Sequence, residues 1–344
     1  MKKILSVIVI LALVLSLTAC GAATTSTAGK VSAENPIVIV HATTAVDEHI
    51  QVIATKAFGD RVAERTNGAV VFEHYTNGQL GGDPVTLQGV QAGTIGFCST
   101  ATTSQVTLVP EMALFDIPFF YSNREMVDNL IYDQTFLDIF REKYAKLGYH
   151  LLGINFAGYR WTTADRPIYK LEDLKGLKIR TMENPYHVSF WRALGASPTP
   201  LANSERYAAL QQGTVNAQEN SVEQILNTKM YEVQDYVINT KHIGFIGAFL
   251  MNKQLYDSIP EEYRKILDEE FEIFCKGYSQ QAIDKEAVTL QTLQNDYKMT
   301  VIDDLGEAEY ERWRLATKET ENMIRKEIGD DIVDMLYERT DTPK

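Results

Sequence analysis

The sequence predicts an α/β fold in two lobes, on three observations. From Pro36 onward, short apolar or β-branched runs alternate with helical segments, the pattern of parallel sheets covered by helices on both faces. The pattern restarts once, near Arg160. The length of 344 residues, 45% of them hydrophobic and 23% charged, fits two such units with a sizeable core.

In the first run, residues 37–40 (IVIV) read as a buried strand. Residues 46–66 set Ile50, Ile53, Ala57 and Phe58 at helical spacing and stop at Asn67-Gly68. Residues 69–72 are the next strand. Turns at Asn77-Gly78 and Gly81-Gly82 lead to a helix with Asp83 as cap and Pro84 at its first position. Residues 95–98 form a third strand, 123–147 a polar helix and 150–155 a fourth strand.

In the second run, 177–180 is a strand and Asn184-Pro185 opens a helix reaching Leu194. Residues 197–200 are extended, 204–212 helical and 215–218 a short strand, before a helix capped by Asn220-Ser221. Residues 261–296 make one long amphipathic helix, and 305–339 are helical again. In such sheets ligands lie beyond the carboxyl ends of the strands, where helix N-termini point. Asp83, Asn184 and Asn220 each follow a strand or a strand and turn, so the cleft they line favours an anion.

The first twenty residues read as an address. Lys2 and Lys3 precede an apolar run over 4–17, long enough for a secretory signal and short for a membrane span. The run ends in Leu17-Thr18-Ala19-Cys20-Gly21, which resembles the lipobox of bacterial lipoproteins. That resemblance implies cleavage before Cys20 and lipidation of its sulfur, leaving the chain two units more negative than its formal −13. Residues 21–35 hold no aromatic and cannot bury enough area to order themselves, so 20–35 reads as a flexible tether of ~20 Å reach.

A charge of −13 speaks against nucleic acid as a partner. It leaves room for a small anion held by local arginines. Cys20, Cys98 and Cys275 are too few for a disulfide framework or a four-ligand zinc site. No HExxH, GxSxG, GxxxxGK[ST] or GxGxxG occurs, and the six histidines lack metal-ligand spacing. No cofactor or metal is called for. The catalytic alternative is an exported enzyme acting on a small carboxylic acid, with His41 or Cys98 as its reactive group. No His or Lys adjoins Cys98 in sequence to lower its pKa.

Arg180 ends an apolar strand, where its guanidinium offers two parallel donors to a carboxylate. The alternative is an internal pair with Glu183 or Glu219. For Arg160 the alternative is a pair with Asp165 or Glu219. Trp161, Tyr186 and Phe245 serve either as cleft walls or as core.

Several motifs in order carry a family resemblance: NGQLGG (77–82), GYRWTT (158–163), LKGLKIR (174–180), GASPTP (195–200), ALQQGTVNAQEN (209–220) and YEVQ (231–234). From about residue 37 to about 328 the chain resembles the solute-binding proteins of TRAP transporters, the DctP family. The resemblance implies a periplasmic-binding-protein-like fold: two lobes joined by crossing strands and a long helix, closing on a carboxylated ligand. It implies residues 35–157 with 246–285 as one domain, and 158–245 with 286–339 as the other. It implies Arg180 as carboxylate anchor, with Arg160 and Asn220 beside it. Ligand-dependent contacts fall at His41, Asp83, Cys98, Ser99 and Asn203. Ser99 and Asn203 stand where some sialic-acid binders carry a glutamate and an aromatic. His41, Asp83 and Glu183 suit hydroxyls, so a hydroxy, keto or sugar acid is expected. The implied partners are TRAP permease subunits in the membrane, the only other membrane contact being the lipid on Cys20.

Overall fold

The computed structural model describes residues 31–121 and 123–340. The expected signal peptide, Cys20 and the first part of the expected tether lie outside the described residues. The strands are β1 (Ile37–Ala42), β2 (Val70–Tyr75), β3 (Phe97–Ala101), β4 (Tyr149–Tyr159), β5 (Trp161–Ala164), β6 (Lys178–Thr181), β7 (Ser197–Pro200), β8 (Ala217–Asn220), β9 (Tyr236–Ile238), β10 (Gly244–Asn252) and β11 (Thr300–Ile302). Among the described residues they form two sheets, ordered β2-β1-β3-β10-β4 and β11-β9-β5-β8-β6-β7.

Both sheets are mixed, whereas the strand–helix alternation predicts parallel ones. β10 runs antiparallel to β3 and β4, and β5 antiparallel to β8 and β9. The reason is the crossing between lobes. β4 leaves the first sheet and continues, with only Arg160 between, as β5 of the second. β10 returns beside it, and the Arg160 N–H donates to Ile243 O at 3.1 Å where the two crossings meet.

The long helix Glu261–Asn295 is the third connection. Leu267, Phe271, Phe274 and Tyr278 on its first half join the core beneath the first sheet. Leu293, near its end, is buried with Trp161, Val237 and Met299 of the second. The helix therefore spans both lobes.

Local chemistry moved several boundaries. The polar helix expected over 123–147 is two helices, Arg124–Ile131 and Gln134–Lys146. Asp133 separates them, its carboxylate accepting from the Thr135 and Phe136 amides as a new N-cap. The C-terminal stretch likewise splits into Glu307–Ala316, Lys318–Ile328 and Asp330–Arg339. The sequence division puts 286–339 in the second domain, yet Ile324, Val333 and Leu336 are buried among Phe115, Phe136 and Phe140 of the first lobe's core. These three residues form the apolar side of two otherwise highly charged helices, and burying it outweighs chain proximity.

Candidate ligand-binding cleft

One cavity opens between the two sheets. From the first lobe it is lined by Thr43, Thr44 and Gln51, by Asp83, by Ser99 on β3, and by Asn155 on β4. From the second come Arg160, Arg180, Asn203, Asn220 and Gln224. Phe245 on β10 and Tyr278 on the long helix close it. An outer vestibule of about 460 Å³ shares Thr44, Asp83, Arg180 and Asn203 with it and adds Glu183.

Arg180 is 2% exposed. Its Nε and Nη2 donate to the Leu201 carbonyl at 2.9 and 2.5 Å. Among the described residues no carboxylate forms an ion pair with it, and Nη1 has no partner. Burial pulls its pKa down to about 10, and the nearby Arg160 charge works in the same direction against the attraction of Glu219. An uncompensated buried guanidinium is costly unless something else supplies the negative charge.

Arg160 is held differently. Its Nε donates to Glu219 Oε2, and its Nη2 to Glu219 Oε1 at 3.0 Å and to the Glu219 carbonyl at 2.9 Å. The internal pair left open by the sequence is therefore present. Nη1 remains without a partner among the described residues, and the guanidinium lies 5.7 Å from the Phe245 ring centroid. Asn220, the last residue of β8, accepts the Ser221 amide at 2.9 Å through Oδ1. Its Nδ2 is then left as a donor at the cavity. Two arginine edges and one amide thus converge there unpaired.

Behind them lies a buried charge network. Glu219 also meets His242 Nε2 at 3.3 Å and His187 Nδ1 at 3.8 Å. His187 Nε2 reaches Asp116 Oδ1 at 3.2 Å, and Asn184 Nδ2 donates to Asp116 Oδ2 at 2.7 Å and to Thr103 O at 2.9 Å. Burial would lift the Glu219 pKa, but Arg160 and the two histidines hold it well below the carboxylate range. Burial works against protonation of His187, but Asp116 and Glu219 overcome it and raise its pKa to about 9.

The predicted caps need correction. Gly82 and Ser221 occupy the cap positions assigned to Asp83 and Asn220; Asn184 does cap its helix, accepting the Tyr186 and His187 amides. Asp83 instead accepts from Thr44 Oγ1 at 3.1 Å and Ser104 Oγ at 2.7 Å. Its pKa is raised, chiefly by burial.

Arg180, Arg160, Asn220, Asp83, Ser99, Asn203 and Phe245 come together at the cavity. Glu183 reaches only the vestibule. His41 sits one residue behind the wall, against Ser99. Cys98 is sealed in the first lobe's core and burial pushes its thiol pKa up, because successive strand residues face opposite sides of the sheet. Trp161 and Tyr186 are likewise core residues. Sequence reasoning missed Gln51, Asn155, Gln224 and Tyr278. Asn155 had a signal: a single amide inside the apolar run LLGINF.

A family profile described as bacterial extracellular solute-binding protein, family 7, matches residues 41–327. The chain belongs to the DctP family. A solute-binding protein of Verminephrobacter eiseniae is 34% identical to this DctP protein over 226 residues, covering 64% of this chain and 66% of the relative. The Escherichia coli 2,3-diketo-L-gulonate-binding periplasmic protein YiaO is 30% identical over 218 residues, with 63% and 66% covered. The matched segments thus span just under two thirds of these relatives. In structure, a Desulfovibrio salexigens TRAP solute-binding protein with bound orotic acid gives a TM-score of 0.83 at 25% identity, covering 89% of this chain and 98% of that one. The Advenella mimigardefordensis sugar acid binding protein with galactonate gives 0.84 at 24%, again with 89% and 98% covered, a likeness of fold. Two α/β lobes around a cleft are the shared architecture of this DctP protein and these structures.

Proposed function

We propose that this DctP protein captures a small organic acid outside the cytoplasm and hands it to the membrane subunits of a TRAP transporter. The observation that carries this reading is the convergence of Arg180, Arg160 and Asn220, each with a donor unpartnered among the described residues, on one cavity. A carboxylate there would supply the charge that Arg180 lacks and accept planar, charge-assisted hydrogen bonds. YiaO is named for a diketo sugar acid and the D. salexigens structure holds orotic acid, both carboxylic acids.

On the opposite wall, Asp83 favours a hydroxyl over a second carboxylate. A second anion beside a half-buried carboxylate must carry a proton or repel it. The ligand proposed is thus a hydroxy or sugar monocarboxylate. A thermal-shift screen followed by calorimetry tests this: sugar and hydroxy acids should stabilise the protein, and plain dicarboxylates should not. Steady conversion of any bound acid would instead favour the enzyme reading. Against that reading, the Cys98 thiol is held protonated in the core.

The chain is further proposed to be a lipoprotein, tethered through Cys20. Cys20→Ala should leave an uncleaved or mislocalised precursor. An unmodified mature N-terminus elsewhere would remove the claim.

A further inference from the structure

His41 on β1 is fully buried, yet it connects the cavity with the protein's outer edge. Its Nε2 lies 3.3 Å from Ser99 Oγ, a cavity group. Its Nδ1 lies 3.0 Å from Nδ1 of His74, its register partner on the edge strand β2. His74 is half-buried. Phe97, with its ring centroid 5.0 Å from that of His41, and Phe72, stacked on His74 at 6.0 Å, hold the pair in an apolar setting.

Two ring nitrogens this close hold one proton between them. Two protons would collide, and none would oppose two lone pairs. A neutral imidazole carries a single N–H, so whichever ring supplies the shared proton also fixes the far edge of His41. Burial, aided by the His74 and Lys56 charges, keeps His41 neutral, its pKa lowered to about 3.

We propose that His41 and His74 are positioning residues that decide whether the Ser99 hydroxyl donates or accepts in the cavity. The proposal rests on the reading that the cavity receives the ligand. When His74 Nδ1 donates, His41 Nε2 carries the other proton and gives it to Ser99 Oγ. The Ser99 O–H then turns to an acceptor oxygen of the ligand. In the reverse order Ser99 donates to His41 Nε2 and offers its lone pairs to a ligand hydroxyl. Both orders hold the same number of protons, so a neutral His74 lets Ser99 serve either kind of oxygen. A protonated His74 allows only the first.

The charged groups facing the pair are Lys56 and Asp60, both on the helix Ile50–Arg65; Lys56 is tied to Asp47 at 2.6 Å. Burial, then Lys56, lowers the pKa of His74 against the pull of Asp60. Acidification that protonates His74 therefore selects acceptor oxygens.

Long-range proton–nitrogen NMR of the ¹⁵N-labelled mature chain reads the ring protons directly, without ligand. His41 is assigned by comparison with His41→Gln. From about pH 8 to about pH 5, His41 should collapse from a mixture to the Nε2–H form without gaining charge. His74→Phe keeps the ring beside Phe72 and should abolish that change while leaving the fold intact. With galactonate as probe, affinity over that range should change about three- to tenfold more in the parent than in His74→Phe. His41 carrying its proton on Nδ1 throughout, the same collapse in His74→Phe, or identical galactonate profiles for both proteins would overturn the proposal. Failure of galactonate and every screened acid to bind would count against the ligand reading, while the ligand-free spectra still decide the relay.

Discussion

Arg180 spends two of its donors on the carbonyl of Leu201 and stands locked in the cavity wall without an ion-pair partner among the described residues. A backbone acceptor fixes the guanidinium plane and leaves its charge unspent. Preorganisation of this kind removes part of the ordering cost of binding. Arg180→Ala should cost about 3–5 kcal/mol of binding, a loss on the order of a hundredfold or more. Arg180→Lys keeps the charge and loses the fork, so it should bind weakly. Calorimetry with the acid found by screening measures both; near-parental affinity in Arg180→Ala would move the anchor to Arg160.

The same residue separates function from stability. In the ligand-free protein, removing Arg180 relieves a buried charge but strips Leu201 of its donor. These effects oppose one another, so urea unfolding of Arg180→Met should match the parent to within about 1 kcal/mol. A large loss would show that the guanidinium is structural.

Glu219 should behave in the opposite way. It neutralises Arg160 in a fully buried pair, so Glu219→Gln leaves an unpaired cation in the interior. The expected cost is about 3–5 kcal/mol of folding stability, read by urea denaturation without ligand. A variant as stable as the parent would mean that Arg160 finds another partner.

His187 makes stability fall on the alkaline side. Its folded pKa, about 9, lies above the ordinary 6.5, so its contribution is complete below about pH 6.5 and lost as pH rises through about 9. The difference corresponds to about 3 kcal/mol. Unfolding midpoints across that window should decline in the parent and flatten in His187→Gln. An unchanged slope in the variant would assign the decline to other groups.

Glu223 joins the lobes at the cleft's edge. It accepts the Ile50 amide at 2.8 Å, at the N-terminus of the helix Ile50–Arg65, lies 3.5 Å from His49 Nε2 and pairs with Lys285 at 2.8 Å. Carboxylate and helix end attract each other, so the contact ties the two lobes together. Glu223→Ala should weaken ligand binding about three- to tenfold and enlarge the ligand-free particle in small-angle scattering. Unchanged scattering and affinity together would remove the latch.

The sequence made the two-lobe architecture and the second lobe's anion donors legible, because Arg180, Arg160 and Asn220 sit at strand ends inside recognisable motifs. Strands such as β1 and β6 showed as apolar runs. β5 (WTTA) was hidden, since four residues rich in threonine carry no distinctive period. The first lobe's contribution was harder to read. Asn155, Gln51 and Tyr278 reach the cavity through the way two lobes close, which no local pattern encodes. Cys98 was misplaced by a single strand position, enough to turn a side chain from cavity to core, whereas His41 is on the Ser99 side and lies behind it.

The interleaved chain path also bears on how the protein is made. The first lobe takes β10 into the middle of its sheet and seals its core with Ile324, Val333 and Leu336. A nascent chain holding only the first 160 residues would therefore lack a central strand and part of its hydrophobic interior. Domains that fold as contiguous units can close while synthesis continues; this one must wait for nearly its last turn of helix. Until then the growing polypeptide keeps strand edges unpaired and apolar side chains uncovered, surfaces that other chains can stick to.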